Sequence, residues 1–243
     1  MIDLHSHILP DLDDGSQSLR DSLAMARMAV DSGVTAMAAT PHCSGDRTRE
    51  VYAAWQLLRE ALKENGIPLK LFPGMEIFGT PDTARMLRDG QLFTLNGSRY
   101  PLIEFSFRSD GQEETWILRN VCKAGFRPIV AHPERYAYVQ QDPKLVNCWH
   151  KMGCLLQVNR GSLLGRFGVH ARETGMELVD RGFAAIVASD AHSPQIRTPW
   201  MEDVRRLLTE EFSPQCARVL LTENPRKILK DEEIPPVEPE WFL

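Results

Sequence analysis

The feature that most constrains this chain is an alternation. Short apolar runs at 1–7, 34–40, 69–72, 100–105, 127–131, 153–158 and 184–188 each end in polar or ionisable residues, and each is followed by a segment of helical periodicity. Seven rounds of strand then helix, with no internal repeat, predict parallel strands joined by crossover helices. A chain of 243 residues can bury a sizeable core and is a common length for one α/β barrel domain. In such barrels function gathers at the C-terminal edge of the strands, so the residues that end each run are the ones to examine.

The helical segments carry their own signals. Ser18 and Asp21 resemble a capping box ahead of Leu19, Leu23, Ala26 and Val30, with a stop at Gly33. Val51, Trp55, Leu58 and Leu62 mark a helix that ends near Asn65-Gly66. Thr80-Pro81 and Thr198-Pro199 predict helix starts, with proline at the first helical position. A helix over 110–124 presents Ile117, Val121 and Ala124, one helix runs from Asn159-Arg160-Gly161-Ser162 to Gly182, and a short one begins at Asn224-Pro225. Residues 234–243 form a Pro/Glu-rich tail of the single domain 1–243, whose Trp241-Phe242 pair is expected to cover a local apolar patch.

The strand ends deliver a consistent chemistry. His5 and His7 alternate to one side of the first strand and can grip one metal ion. Asp14 follows in an acidic turn, and later strand ends bring His42, Glu76, Glu104, His132, Asp190 and His192. Any one of these alone reads as a hydrogen-bonded structural residue or a turn. Glu104 is more telling, because a carboxylate inside Leu102-Ile103-Glu104-Phe105 is costly to bury without a cation. Together they form nine candidate ligands converging from six strand ends.

Composition narrows the partners. Lys+Arg 28 against Asp+Glu 33 gives a net charge of -5, which disfavours wholesale nucleic-acid binding and leaves a phosphate to be captured locally. No leader-like n-region or membrane-length apolar run is present, so a cytoplasmic enzyme is expected. Five cysteines, none in a C-x-x-C pair, point to reduced thiols rather than a disulfide framework.

The motifs in order are His5-Ser6-His7-Ile8-Leu9-Pro10 with Asp13-Asp14-Gly15, then Thr40-Pro41-His42, Gly74-Met75-Glu76, Ala131-His132-Pro133-Glu134-Arg135 and Ser189-Asp190-Ala191-His192. From residue 1 to about residue 230 this series resembles the PHP (polymerase and histidinol phosphatase) superfamily. Within it the closer likeness is to the bacterial protein-tyrosine phosphatases of capsular and exopolysaccharide operons. The resemblance implies a distorted, TIM-like (β/α)7 barrel holding three divalent metal ions. By that analogy His5, His7, Glu76 and Asp190 hold the first ion, and Glu76 bridges to a second bound also by Glu104 and His132. Asp14, His42 and His192 hold the third. The family points to manganese, and imidazole with carboxylate also suits iron, zinc or magnesium.

A fitting mechanism is direct phosphomonoester hydrolysis, in which a hydroxide shared by two ions attacks phosphorus and the third ion holds phosphate oxygens. Arg135 and Arg197, three and seven residues past ligand candidates, are the expected phosphate-binding arginines. The implied partner is an autophosphorylated bacterial tyrosine kinase. Three other readings compete. His42-Cys43-Ser44-Gly45-Asp46-Arg47-Thr48-Arg49 fits the H-C-x5-R signature of cysteine-dependent phosphatases, with Cys43 as nucleophile. That leaves the other ligand candidates without a purpose, and Asp46 would put a carboxylate in an anion cradle. A small-molecule phosphatase such as histidinol-phosphate phosphatase would share most of the metal chemistry, and a catalytically silent binding module would keep the barrel as a scaffold.

Overall fold

The expected strands are present in a computed structural model of the chain, which describes residues 1–43, 47–235 and 239–241. Two of them are interrupted. β1 (Ile2–Asp3) pairs in parallel with β2 (Ala36–Ala39), and the second strand resumes after Thr40-Pro41 as β3 (His42–Cys43). The third strand is split likewise at Gly74-Met75 into β4 (Lys70–Pro73) and β5 (Glu76–Phe78). A proline has no N–H for the ladder, so the break at Pro41 is written in the sequence. β6 (Leu102–Glu104), β7 (Ile129–Ala131), β8 (Leu155–Asn159) and β9 (Ala184–Ala188) follow, each parallel to its predecessor. The hydrogen-bonded orders are β1-β2-β4 and β3-β5-β6-β7-β8-β9.

Backbone bonds past the ends of these strands complete the ring. His7 N–H donates to Ala191 O at 2.8 Å and Asp190 N–H to His5 O at 2.9 Å, so the last strand pairs with the first. Thr40 N–H donates to Ser6 O at 2.8 Å on the other side. The result is the parallel barrel that the alternation predicts, distorted as the family resemblance implies.

The helices α1 (Leu19–Asp31), α2 (Thr48–Glu64), α3 (Thr83–Arg88), α4 (Gln112–Lys123), α5 (Ala137–Gln141), α6 (Lys144–Lys151), α7 (Arg160–Leu163), α8 (Val169–Asp180), α9 (Glu202–Glu211), α10 (Pro214–Arg218) and α11 (Asn224–Leu229) lie outside or below it. Ser18 caps α1 as expected, accepting from Asp21 N–H at 3.2 Å. The buried side of α1 is Ser22, Met25, Ala26 and Ala29, so Leu19, Leu23 and Val30 flank the core rather than centre on it. Thr80-Pro81 and Thr198-Pro199 precede their helices instead of starting them: α3 begins at Thr83, whose Oγ1 accepts from Thr80 N–H, and α9 begins at Glu202. The single helix expected up to Gly182 is two, because Gly165 and Gly168 both take positive φ between α7 and α8.

Strand alternation sorts the core. Outward residues such as Met37, Ile103, Val130, Leu156 and Val187 pack with Met25, Trp55, Leu58 and Ile117 of the helices. Inward residues Ala38, Leu102, Ile129, Leu155 and Ile186 fill the barrel with Ile228 and Leu229 of α11 below them. The same parity continued upward gives His42, Glu104, Gln157, Asn159 and Asp190, so one face of each strand changes from apolar at the bottom to polar at the mouth. Trp241 packs edge-on to His150 and Phe183 at centroid distances of 5.5 and 5.7 Å, covering a local patch as expected, while Phe242 lies outside the described residues.

Candidate metal centre

All nine ligand candidates meet at the mouth of the barrel. His5 and His7 converge with Nε2 atoms 3.3 Å apart, a separation suited to one cation between them. Both lie 3.1 Å from Glu76 Oε2 and 3.5 Å from Asp190 Oδ1. Glu76 Oε1 reaches His132 Nε2 at 2.8 Å, so its two oxygens face different imidazoles. His42 Nδ1 lies 2.9 Å from Glu104 Oε1 and 3.2 Å from Glu76 Oε2. His42 Nε2 and His192 Nε2 lie 3.6 and 3.4 Å from Asp14 Oδ1.

Four groups have ligand atoms within 4.8 Å of one another: His5-His7-Asp190, His5-Glu76-His132, His42-Glu76-Glu104 and His7-Asp14-His42-His192. These overlap the three sets that the resemblance implies, but His5 also joins the second set, His7 the third, and His42 the second as well as the third. His42 turns one nitrogen to Glu104 and the other toward Asp14, and so spans the second and third sets.

The polar surroundings fix which atoms point inward. His5 Nδ1 donates to Gln157 Oε1 at 2.9 Å, His7 Nδ1 to Asp13 Oδ2 at 2.7 Å, and His192 Nδ1 to Asp190 O at 3.0 Å. Each bond holds the Nδ1–H tautomer and leaves the Nε2 lone pair free for a cation. Asp13 also accepts from the backbone N–H of His42 at 2.8 Å and of Gly15 at 2.9 Å. Burial pushes the Asp13 carboxyl up, but these donors and the His7 charge hold it at about 2. A Cβ at Gly15 would meet His7 O at 2.3 Å, so this tight turn admits only glycine.

The electrostatics describe a cage made for positive charge. Burial opposes ionisation throughout, yet Glu76 and Asp190 raise His5 above the ordinary imidazole value, and Asp13, Asp190 and Glu76 raise His7 well above it. Glu76 and Asp190 are correspondingly held well below the carboxylate range, against their own burial. His192 is lowered to about 4, by burial and then by the charge on His7. Protons on imidazoles stand where cations would, and protons compete with metals for such ligands. Glu76 Oε2, Asp190 Oδ1 and His192 Nε2 are buried and make no hydrogen bond among the described residues, as expected of atoms shaped to hold a cation. The residues therefore fit divalent metal ions.

The expected arginines border this cage. Arg135 Nη1 donates to Asp190 Oδ2 at 3.2 Å, and Arg197 donates to the same oxygen through Nη2. Arg197 Nε is buried with no hydrogen-bond partner among the described residues. The loop beyond Arg197 is pinned by Arg160, which is buried, grips Asp203 at 2.8 and 2.5 Å and donates to Thr198 O at 3.0 Å. His132, Asp190 and Arg197 all take positive φ, at 35°, 51° and 55°, a conformation that non-glycine residues hold only where surroundings over-determine it.

Asp13, Gln157 and Asn159, which are not among the nine candidates at the strand ends, orient ligand candidates. Asn159 Nδ2 donates to Asp190 Oδ2 at 2.6 Å. Gln157 and Asn159 sit inside the buried run Leu155–Asn159, so the burial argument applied to Glu104 would have found them. The rival nucleophile fails on burial: Cys43 is 5% exposed and belongs to the hydrophobic core. Ser44, Gly45 and Asp46 of its motif lie outside the described residues.

Fold and site define a parallel α/β barrel whose mouth gathers candidate ligands for divalent cations beside a pair of arginines. The chain belongs to the capsular polysaccharide synthesis family CpsB/CapC, whose sequence profile matches residues 1–230. It is 35% identical over 241 residues to the tyrosine-protein phosphatase YwqE of Bacillus subtilis (strain 168), covering 96% of this chain and 93% of the relative. Identity is 32% over 243 residues to the tyrosine-protein phosphatase CpsB of Streptococcus pneumoniae, covering 96% and 100%. A crystal structure from work on these two proteins, described there as unique metal-dependent tyrosine phosphatases, superposes with a TM-score of 0.94 at 33% identity, both chains being covered in full.

Proposed function

We propose that this protein is a metal-dependent protein-tyrosine phosphatase that hydrolyses phosphotyrosine directly, with water as the acceptor of the phosphoryl group. The observation that carries the reading is the convergence of nine ligand candidates and two arginines on one barrel mouth. His5, His7, Glu76 and Asp190 would hold one ion, Glu76, Glu104 and His132 a second, and Asp14, His42 and His192 a third, with manganese the favoured metal. When bound, the ions supply an acidified water and neutralise phosphoryl charge.

The chain's own groups do the rest. Asp13 and Gln157 hold the His7 and His5 rings in the tautomer a metal needs. Arg135 and Arg197 bring forked guanidinium donors to the non-bridging phosphoryl oxygens, and Arg197 Nε, without a hydrogen-bond partner among the described residues, is a donor ready for one of them. A tyrosine phenolate, with a pKa of about 10, leaves with little protonation help. Water then adds to phosphorus as the aryl oxygen departs, giving tyrosine and inorganic phosphate. The substrate we favour is an autophosphorylated bacterial tyrosine kinase in the cytoplasm. The capsular family and its relatives named tyrosine-protein phosphatases support a phosphotyrosine protein as the substrate class.

The test compares kcat/KM on phosphotyrosyl peptides and on histidinol phosphate, in excess EDTA and after manganese is restored. The expected result is loss with chelator, recovery with manganese and preference for the peptide. Full activity in EDTA refutes the metal mechanism, and a large preference for histidinol phosphate refutes the substrate. Metal analysis with anomalous scattering then counts the ions.

A further inference from the structure

The two arginines share a support that is no part of the ligand cage. The Arg135 guanidinium lies over two rings, with Cζ 4.8 Å from the centroid of Phe107 and 4.3 Å from that of Phe167. Phe167 also faces Arg197, whose Cζ is 5.7 Å from the same centroid. One ring therefore touches both cations. Phe107, the second ring beneath Arg135, stacks at 5.8 Å on His132.

The seat of Phe167 has a cause in the sequence. A Cβ at Gly161 would meet Phe167 Cε2 at 2.5 Å, so the ring can lie there only against a residue without a side chain. Gly161 is not among the glycines of positive φ, and backbone conformation therefore does not account for it. Two guanidinium groups aimed at one oxygen repel each other, and long side chains lose rotamer freedom when fixed. A π face presented to both offsets that repulsion and holds the groups before a ligand arrives.

We propose that Phe167, seated in the space left by Gly161, is a positioning residue that holds Arg135 and Arg197 ready to grip a phosphoryl group, with Phe107 as the second ring beneath Arg135. This rests on the phosphatase reading. It adds to that reading a pair of residues that stand behind the arginines and outside the candidate ligand groups.

The test uses the metal-loaded protein with inorganic phosphate as the probe, measured by calorimetric titration and as a competitive inhibitor. Phe167→Leu keeps the site apolar but removes the π face, and is expected to weaken phosphate about tenfold with metal content unchanged. KM for an aryl phosphate rises by a similar factor while kcat changes less. Phe167→Tyr restores most of the affinity, and Gly161→Ala, which displaces the ring, reproduces the loss. In an Arg135→Ala background the further loss on Phe167→Leu falls well below tenfold, because the nearer of the two arginines it positions is already gone. An undiminished loss in that background, or wild-type phosphate affinity in Phe167→Leu, overturns the proposal. Failure of the phosphatase reading is distinct: the wild type would bind metal and phosphate yet leave phosphotyrosyl peptide intact, and the phosphate titrations would still decide the role of Phe167.

Discussion

Replacing Asp13 by asparagine changes one oxygen to an NH2 group at a point where every neighbour is a donor. Oδ2 accepts from His7 Nδ1 at 2.7 Å and from His42 N–H at 2.8 Å, while Oδ1 accepts from Gly15 N–H at 2.9 Å. Asparagine has a single accepting oxygen, so its NH2 must face one of these N–H groups in either orientation. At least one charge-assisted bond is lost, about 2 kcal/mol in a largely buried position. For a domain of this size that lowers the melting temperature of the metal-free protein by about 4–8 °C. The anchor of the His7 ring also weakens, and metal affinity is expected to fall by about 10–100-fold. Differential scanning calorimetry on chelated protein and manganese titration measure the two effects separately. Asp14→Asn is the control: its side chain is 65% exposed, and the substitution should leave metal-free stability within about 0.5 kcal/mol. If Asp13→Asn melts and binds manganese as the wild type does, the orienting role of Asp13 is wrong.

Two further outcomes follow from the same geometry. Cys43→Ala should keep phosphatase activity within about twofold while losing about 1 kcal/mol of stability from the core. Loss of turnover without loss of metal would restore the cysteine mechanism. Asp231, held below the ordinary carboxylate range by Arg99, accepts from Arg99 N–H at 2.7 Å and Nε at 3.0 Å. A carboxylate whose pKa is depressed by folding adds stability above its unfolded value, near 3.9, and loses it as the pH falls through the folded value. Asp231→Asn should therefore cost up to about 1 kcal/mol at pH 7, small because the pair is exposed, with the difference vanishing in acid. Denaturant titrations of both chains at several pH values check the sign.

The barrel was legible because its two periods are so different. Val51, Trp55, Leu58 and Leu62 repeat as a helix does and are all buried on α2, while the apolar strands run straight into their polar tips. The ligand candidates were legible because charged residues at the ends of buried strands have few other purposes. What the sequence hid was angular. The face of α1 is centred on Met25 and Ala29 rather than on Leu19, Leu23 and Val30, a matter of tertiary packing that local pattern does not carry. The true start of α3 depends on a side chain three residues beyond Thr80. Asp13 and Asp14 are adjacent and identical in type, and only the fold turns one beneath the His7 ring and the other toward His42 and His192.

The seam between the first and last strands has a consequence for how the site comes into being. Asp3 accepts from the backbone of Ser189 across 186 residues of chain, within the same seam that aligns His5 and His7 with Asp190 and His192. Three of the four candidate ligands of the first ion, His5, His7 and Glu76, are therefore made before the ribosome has supplied the strand that brings Asp190. A contact of such long sequence separation is among the last to form and the slowest to find. A cation held across the seam would act as a clasp, binding strongly only once the ring has shut and then resisting its reopening. Metal uptake in this protein should report completion of the barrel as much as readiness for chemistry.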